Sequence, residues 1–283
     1  MRFRSLLNRR IDRRSDELDE LGEDGGRGDA DAIHDLRVGV RKLRGLLRAG
    51  RREYGRDEVD ALRDRLRHAG SVLGAARDAE VLRERIEREL ADAGIAADLA
   101  AFALAPVVAD LAVGQAAAAE FLAGDEWAAL RGDLRSLTAT SASGASAAKG
   151  AARTFRTDLA RVRKRLAAAR ADGIDELERE ELLHELRKAA KRLRYDTKAV
   201  GRALPDRAAA ESITRRAETV QDLLGERRDA LAAAAHLTAA AAEAARSGVA
   251  ASPLGVLADR LRREADDALT AAQDEADRLD REA

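Results

Sequence analysis

Apolar residues recur along this chain with the 3.6-residue period of amphipathic helices. Ile33, Leu36, Val40, Leu43 and Leu47 fall on one stripe and predict a long helix over residues 30–54. Further helices are predicted near 57–73, 76–92, 99–123 and 126–137, then near 149–171, 176–203, 207–224, 227–246 and 253–280. Runs of alternating β-branched residues are missing, and Gly173, Pro205, Gly225 and the stretch from Ser247-Gly248 to Pro253 punctuate the pattern. The Ser/Ala/Gly segment 138–148 reads as a flexible internal loop. The expected fold is all-α: a single domain over 1–283, made of an N-terminal helical half (15–137) and a C-terminal one (149–283). Aromatic residues are only 2% of the chain, so the core must come from Leu, Ala, Val and Ile, and long helices are needed to accumulate contact area.

The two halves carry the same signature. His34-Asp35-Leu36-Arg37, followed by Arg41, Lys42, Arg44 and Arg48, returns as His184-Glu185-Leu186-Arg187, followed by Lys191, Arg192, Arg194 and Lys198. The His, both Leu and the Arg at 37/187 and 44/194 are identical, while 41/191, 42/192 and 48/198 stay cationic. A second match pairs Leu73-Gly74-x-x-Arg77-Asp78-Ala79 with Leu224-Gly225-x-x-Arg228-Asp229-Ala230. Gly74 and Gly225 are expected to permit a turn that ends one helix, with each Arg-Asp pair opening the next.

On a helix, His34, Arg37, Arg41, Arg44 and Arg48 share one face, as do His184, Arg187, Lys191, Arg194 and Lys198. Each cationic stripe borders the apolar one instead of opposing it. Like charges at these spacings repel by roughly 0.2–0.5 kcal/mol per exposed pair, and neither stripe interleaves carboxylates. An anionic ligand would relieve the repulsion and add charge-assisted hydrogen bonds; the alternative is a solvated charged face.

Composition sharpens this. Lys plus Arg number 51 against 52 for Asp plus Glu, so the chain lacks the positive excess of a protein that coats nucleic acid nonspecifically. The excess is local: residues 34–56 hold eight Lys/Arg against two acidic residues, and residues 149–170 hold eight against one. The second of these is a third basic segment, from which Arg153, Arg156, Arg163 and Lys164 are taken as contacts. Lys42, Lys188 and Arg192 could widen the main stripes.

The smaller features keep two readings each. His34 and His184 are either anion-responsive imidazoles or packing histidines. Arg77-Asp78 and Arg228-Asp229 are either forks held for a ligand, with Asp78 and Asp229 in support, or helix starts closed by a structural ion pair. The Tyr195 hydroxyl either donates to a phosphate oxygen or caps a buried edge. Cysteine is absent, and no spaced ligand set suggests a metal or other cofactor. No uninterrupted apolar run approaches the roughly 20 residues of a membrane span. The opening Met1-Arg2-Phe3-Arg4 lacks the apolar stretch of a signal peptide, so a cytoplasmic location is expected.

The segments HDLRVGVRKLR at 34–44, LGAARD at 73–78, HELRKAAKRLRY at 184–195 and QDLLGERRD at 221–229 resemble the CHAD family, the conserved-histidine α-helical domain, over about residues 15–283. The resemblance implies two pseudo-symmetric antiparallel four-helix bundles flanking a basic cavity. It also implies binding of inorganic polyphosphate, association with polyphosphate granules and their proteins, and no catalysis. His34, Arg37, Arg41, Arg44 and Arg48 would line one half of the surface, and His184, Arg187, Lys191, Arg194 and Tyr195 the other. Gly39, unusual inside a helix, marks a place of close backbone packing. A polyphosphate-processing enzyme and a nucleic-acid backbone binder remain as alternatives. The scarcity of aromatic stacking platforms makes nucleic acid the less favoured partner.

Overall fold

The computed structural model describes residues 1–139, 145–171 and 173–282. The chain forms helices α1 (Phe3–Gly26), α2 (Ala30–Ala49), the single turn α3 (Arg51–Tyr54), α4 (Arg56–Asp92), α5 (Ala97–Ala123) and α6 (Asp125–Thr138). After these come α7 (Ala147–Ala169), α8 (Glu176–Val200), α9 (Arg207–Arg246) and α10 (Ser252–Glu282), with a 3₁₀ turn at Gly201–Ala203. No β-strand occurs among the described residues; a single bridge pairs Arg2 with Ser146.

Both basic helices start the same way. Asp29 caps α2 by accepting from the Ala32 N–H, and Asp175 caps α8 by accepting from the Glu178 N–H, each at 2.8 Å. Such a cap is worth about 1 kcal/mol. Gly28, at φ +86°, and Gly248, at φ +78°, take the left-handed conformation that lets the chain turn after α1 and α9.

Three clusters of buried side chains hold the helices together. The first joins α1, α2, α4 and α6 around Phe3, Leu7, Leu36, Leu43, Leu66 and Trp127, and takes in Val200 from α8. The second joins α7, α8, α9 and α10 around Val162, Leu186, Leu193, Val220 and Leu279. In the third, the far ends of α4 and α9 meet α5 and α10 through Ile86, Leu99, Leu237 and Leu257. The predicted α2 stripe is fully buried, with Ile33, Leu36, Val40, Leu43 and Leu47 at most 2% exposed. Burying each such side chain contributes roughly 1.5–3 kcal/mol, several times the repulsion between neighbouring surface cations. Packing therefore dictates which way the helix faces, and the cations are carried to its border.

Several boundaries differ from the sequence expectation. Helix α1 was not anticipated, because dense charge hides the spacing of Phe3, Leu6, Leu7, Ile11 and Leu18. These five are buried in the first cluster, reaching upstream of the expected boundary at residue 15. The helix expected over 30–54 breaks at Gly50. No turn occurs at Leu73-Gly74 or Leu224-Gly225: α4 and α9 run straight through, for 37 and 40 residues. Of the expected flexible loop, residues 140–144 lie outside the described residues. The segment that follows them is tied down, with the Phe3 N–H donating to the Ala145 carbonyl (2.9 Å) and the Ala147 N–H to the Met1 carbonyl (3.1 Å). Gly39 does mark close packing, since a Cβ there would lie 2.7 Å from Leu18 Cδ2 of α1.

Helix α5 is long and apolar enough, by length and composition, to cross a membrane, with a mean hydropathy of 1.7 over its most apolar window. Asp110 interrupts that window, which is why no uninterrupted apolar run was seen in the sequence. In the fold α5 packs along α4, and Gly114 brings its backbone against Ala76.

A cation-lined cleft between the two basic helices

Helices α2 and α8 pack against each other, and α7 packs along α8. Between the three lies a cleft of about 360 Å³, lined by Arg41, Arg44 and Arg48 from α2, Arg161 and Arg165 from α7, and Glu185, Lys188, Ala189, Lys191, Arg192 and Tyr195 from α8. Eight cations face one carboxylate. Residues from both copies of the signature thus meet in one place.

The cations differ in how far they are already neutralised. Arg48 donates to both oxygens of Asp196, at 2.9 and 2.8 Å. Arg192 Nε lies 2.5 Å from the fully buried Asp158. These four form a buried network joining α2, α7 and α8, and Gly45 leaves room for it: a Cβ there would sit 2.7 Å from Asp196 Oδ1. Burial pushes Asp196 above the usual carboxylate range against the opposing pull of Arg48, and burial pulls Arg192 down to about 10. Arg48 is therefore a fixed strut at the cleft wall.

By contrast, half-buried Arg41, Arg44 and Lys191 in the cleft, and Arg187 outside its lining, form no ion pair with a carboxylate among the described residues. The Arg41 guanidinium sits 5.0 Å from the Tyr195 ring centre, and Arg194 covers the same ring at 5.8 Å. Burial and then the neighbouring Arg63, Arg48 and Arg67 pull Arg44 down. Lys191 is the extreme case. Burial first, then Arg41, Arg187, Arg37 and Arg228, push its amine down to about 7.

A consequence for binding follows with a definite sign. As pH rises through 7 the free protein progressively loses the Lys191 proton, and a polyanion bound beside it would draw it back. Affinity for a polyanion should fall as pH rises from 7 to 8.5, by at most about tenfold per pH unit, with net proton uptake on binding. Calorimetric titration in buffers of different ionisation enthalpy measures that uptake, and Lys191→Arg should abolish it while retaining affinity at pH 8.5.

The repeated glycines have a role other than a turn. At the Gly74 Cβ position the nearest atom is Arg37 Nε (3.4 Å), and at Gly225 it is Arg187 Nε (3.5 Å). Each Arg of the signature lies across the glycine of the second motif in its own half. Arg37 goes on to donate to Asp78 at 2.8 Å, half-exposed on α4. Asp229 is raised by desolvation while Arg228 and Arg187 oppose the rise, and Asp78 adds like charge. Contacts at 3.4–3.5 Å leave space for a methyl group. Gly74→Ala and Gly225→Ala should each stabilise the fold by about 0.5–1 kcal/mol in denaturant melts, through helix propensity alone, whereas Gly225→Leu should displace Arg187 and lower stability.

Other candidates lie elsewhere. Arg77 is held by Glu80 of its own helix (2.6 Å), Arg153 by buried Glu53 (3.3 Å), and Lys188 by Glu185 (2.5 Å) at the cleft. Arg194 pairs with Glu218 and Asp222 of α9, and Lys198 with Glu218 at 3.3 Å. Arg156, Arg163 and Lys164 are exposed and line no cleft described here, because Leu159, Val162 and Leu166 turn Arg161 and Arg165 towards α8 instead. Lys42 faces α1. His184 sits by Lys188, Arg187 and Arg228, and desolvation and then these charges push its ring below the ordinary value. His34 Nδ1 is buried without a hydrogen-bond partner among the described residues. Arg161, Arg165 and the carboxylates Asp158 and Asp196 were not among the expected site residues. For the two arginines, the i,i+4 spacing beside the α7 apolar stripe was the available signal. No group of three or more His, Asp or Glu among the described residues could hold a metal ion.

Comparison with known proteins places the chain in a family and a fold. The family model for the CHAD domain matches residues 9–238. Two Mycobacterium tuberculosis sequences, "Uncharacterized protein MT2285" (strain CDC 1551 / Oshkosh) and "Uncharacterized protein Rv2226" (strain ATCC 25618 / H37Rv), are each 35% identical over 219 residues, covering 75% of this chain and 41% of theirs. The chain thus spans about two fifths of the length of these curated relatives. Two solved structures share the fold. PptA from Streptomyces chartreusis has a TM-score of 0.75 at 19% identity, over 98% of this chain and 99% of its own. The CHAD domain from the plant Ricinus communis has a TM-score of 0.68 at 21% identity, over 94% and 92%. By the span of that family match, this chain belongs to the CHAD domain family.

Proposed function

We propose that this chain binds inorganic polyphosphate, without turning it over, in the cleft between α2, α7 and α8. The two related halves act as pseudo-symmetric four-helix bundles flanking a basic central cavity, and the setting is cytoplasmic, at polyphosphate granules. The observation that carries the reading is the set of half-buried cations from both halves, Arg41, Arg44 and Lys191, that line this cleft and form no ion pair with a carboxylate among the described residues. Keeping them together is electrostatically unfavourable unless an anion is supplied from outside, and the chain of charges in polyphosphate supplies several at once.

Nucleic acid fits less well. Tyr195 is the one aromatic residue lining the cleft, and Arg41 and Arg194 already sit by its ring, so the cleft offers little of a stacking platform for bases. Phosphoryl transfer would call for carboxylates beside the cations, and Asp78 is engaged by Arg37. Titration with long-chain polyphosphate at physiological salt, in competition with single-stranded and duplex oligonucleotides, tests the reading. Saturable binding that oligonucleotides displace only at large excess of phosphate is expected. Equal competition, phosphate for phosphate, or absence of saturation would overturn it.

A further inference from the structure

A second basic cleft, of about 520 Å³, opens between α1, α2 and the end of α8. The four arginines of α1 at positions 9, 10, 13 and 14 line it, with Lys42, Lys198 and Arg202, and no carboxylate does. Arg14 is paired with Glu17 and Lys198 with Glu218. Arg10, Arg13, Lys42 and Arg202 form no ion pair with a carboxylate among the described residues. The cleft is continuous in sequence with the first, because neighbours Arg41 and Lys42 line one each, and Tyr195 lines both.

We propose that this is a second polyphosphate-binding segment, in which a long chain leaving the α2–α7–α8 cleft passes Tyr195 and continues over Arg10, Arg13, Lys42 and Arg202. The inference rests on the polyphosphate reading and adds a length requirement to it: short oligophosphates are satisfied by the first cleft, and only a longer polymer reaches the second. Independent small anions in each cleft would need no such continuity, and they would make short and long ligands respond alike. Desolvation, then Arg202 and the other α1 arginines, push the Arg10 guanidinium down, which an anion at this place would reverse.

The test compares tripolyphosphate with long-chain polyphosphate on the wild-type chain, on Arg10→Gln/Arg13→Gln/Arg202→Gln, and on the charge-keeping Arg10→Lys/Arg13→Lys/Arg202→Lys. Expected for the Gln variant is a roughly tenfold loss of affinity for the long polymer, a salt slope smaller by about 2, and tripolyphosphate binding within twofold of wild type. The Lys variant should recover most of the long-chain affinity. Undiminished long-chain binding by the Gln variant overturns the second segment while leaving the first cleft standing, and so does an equal loss for both ligands. Failure of the wild-type chain to bind either ligand instead removes the functional reading itself.

Discussion

Replacing Arg41, Arg44 and Lys191 together with Gln is expected to weaken binding of long-chain polyphosphate at physiological salt by at least about 100-fold. Three lost phosphate contacts should also cut the slope of log affinity against log salt by about 2 for a flexible, single-stranded polyanion. Because these cations sit among like charges and form no ion pair with a carboxylate among the described residues, the variant should melt at or above the wild-type temperature. This separates a ligand site from a structural network, where loss of charge would lower both stability and binding. Arg77→Gln offers the contrast. Arg77 is held by Glu80 and lines neither cleft, so its loss should change affinity less than about threefold in the same titration.

Asp196→Ala should have the opposite signature. Asp196 is 1% exposed and takes both bonds from Arg48, with Arg192 at 3.9 Å. Removing one partner of a buried pair leaves an uncompensated charge and costs about 3 kcal/mol. For a chain of this length that lowers the melting temperature by roughly 6–10 °C, readable by calorimetry. Yet Arg48 lines the cleft, and the substitution frees it for an external anion, while Arg192 keeps Asp158. Polyphosphate should therefore raise the melting temperature of the variant by more than it raises that of the wild type. A variant that is destabilised and also gains less from the ligand would mean that the network positions the site instead of competing with it.

How much of this could be read from the sequence depends on the range of the interaction concerned. The α2 stripe and its bordering cations were legible because both follow from helical spacing within 20 residues. Gly74 and Gly225 were misread as turns because a glycine signals a helix end locally, whereas here Arg37 and Arg187 from another helix lie across them. Helix α1 was hidden since its apolar positions are spread thinly among arginines and acids, and its basic face was lost with it. The Arg48–Asp196 pair spans 148 residues, and it falls where the repeat breaks, Asp196 standing where the first half has Leu46. Spacing arguments carry no information about such a pair. Likewise Arg194 and Lys198 look like equals of Arg44 and Arg48 in the signature, and only tertiary contact shows that Glu218 of α9 engages both.

The account turns on cations from two halves sharing one external set of counterions. A crystal structure of the chain with bound polyphosphate tests that most directly. Phosphate oxygens within hydrogen-bonding reach of Arg41 and Lys191 at once, on a single polymer, are what the account predicts. A polymer lying on the exposed α7 surface of Arg156, Arg163 and Lys164, with the α2–α7–α8 cleft untouched, would contradict it.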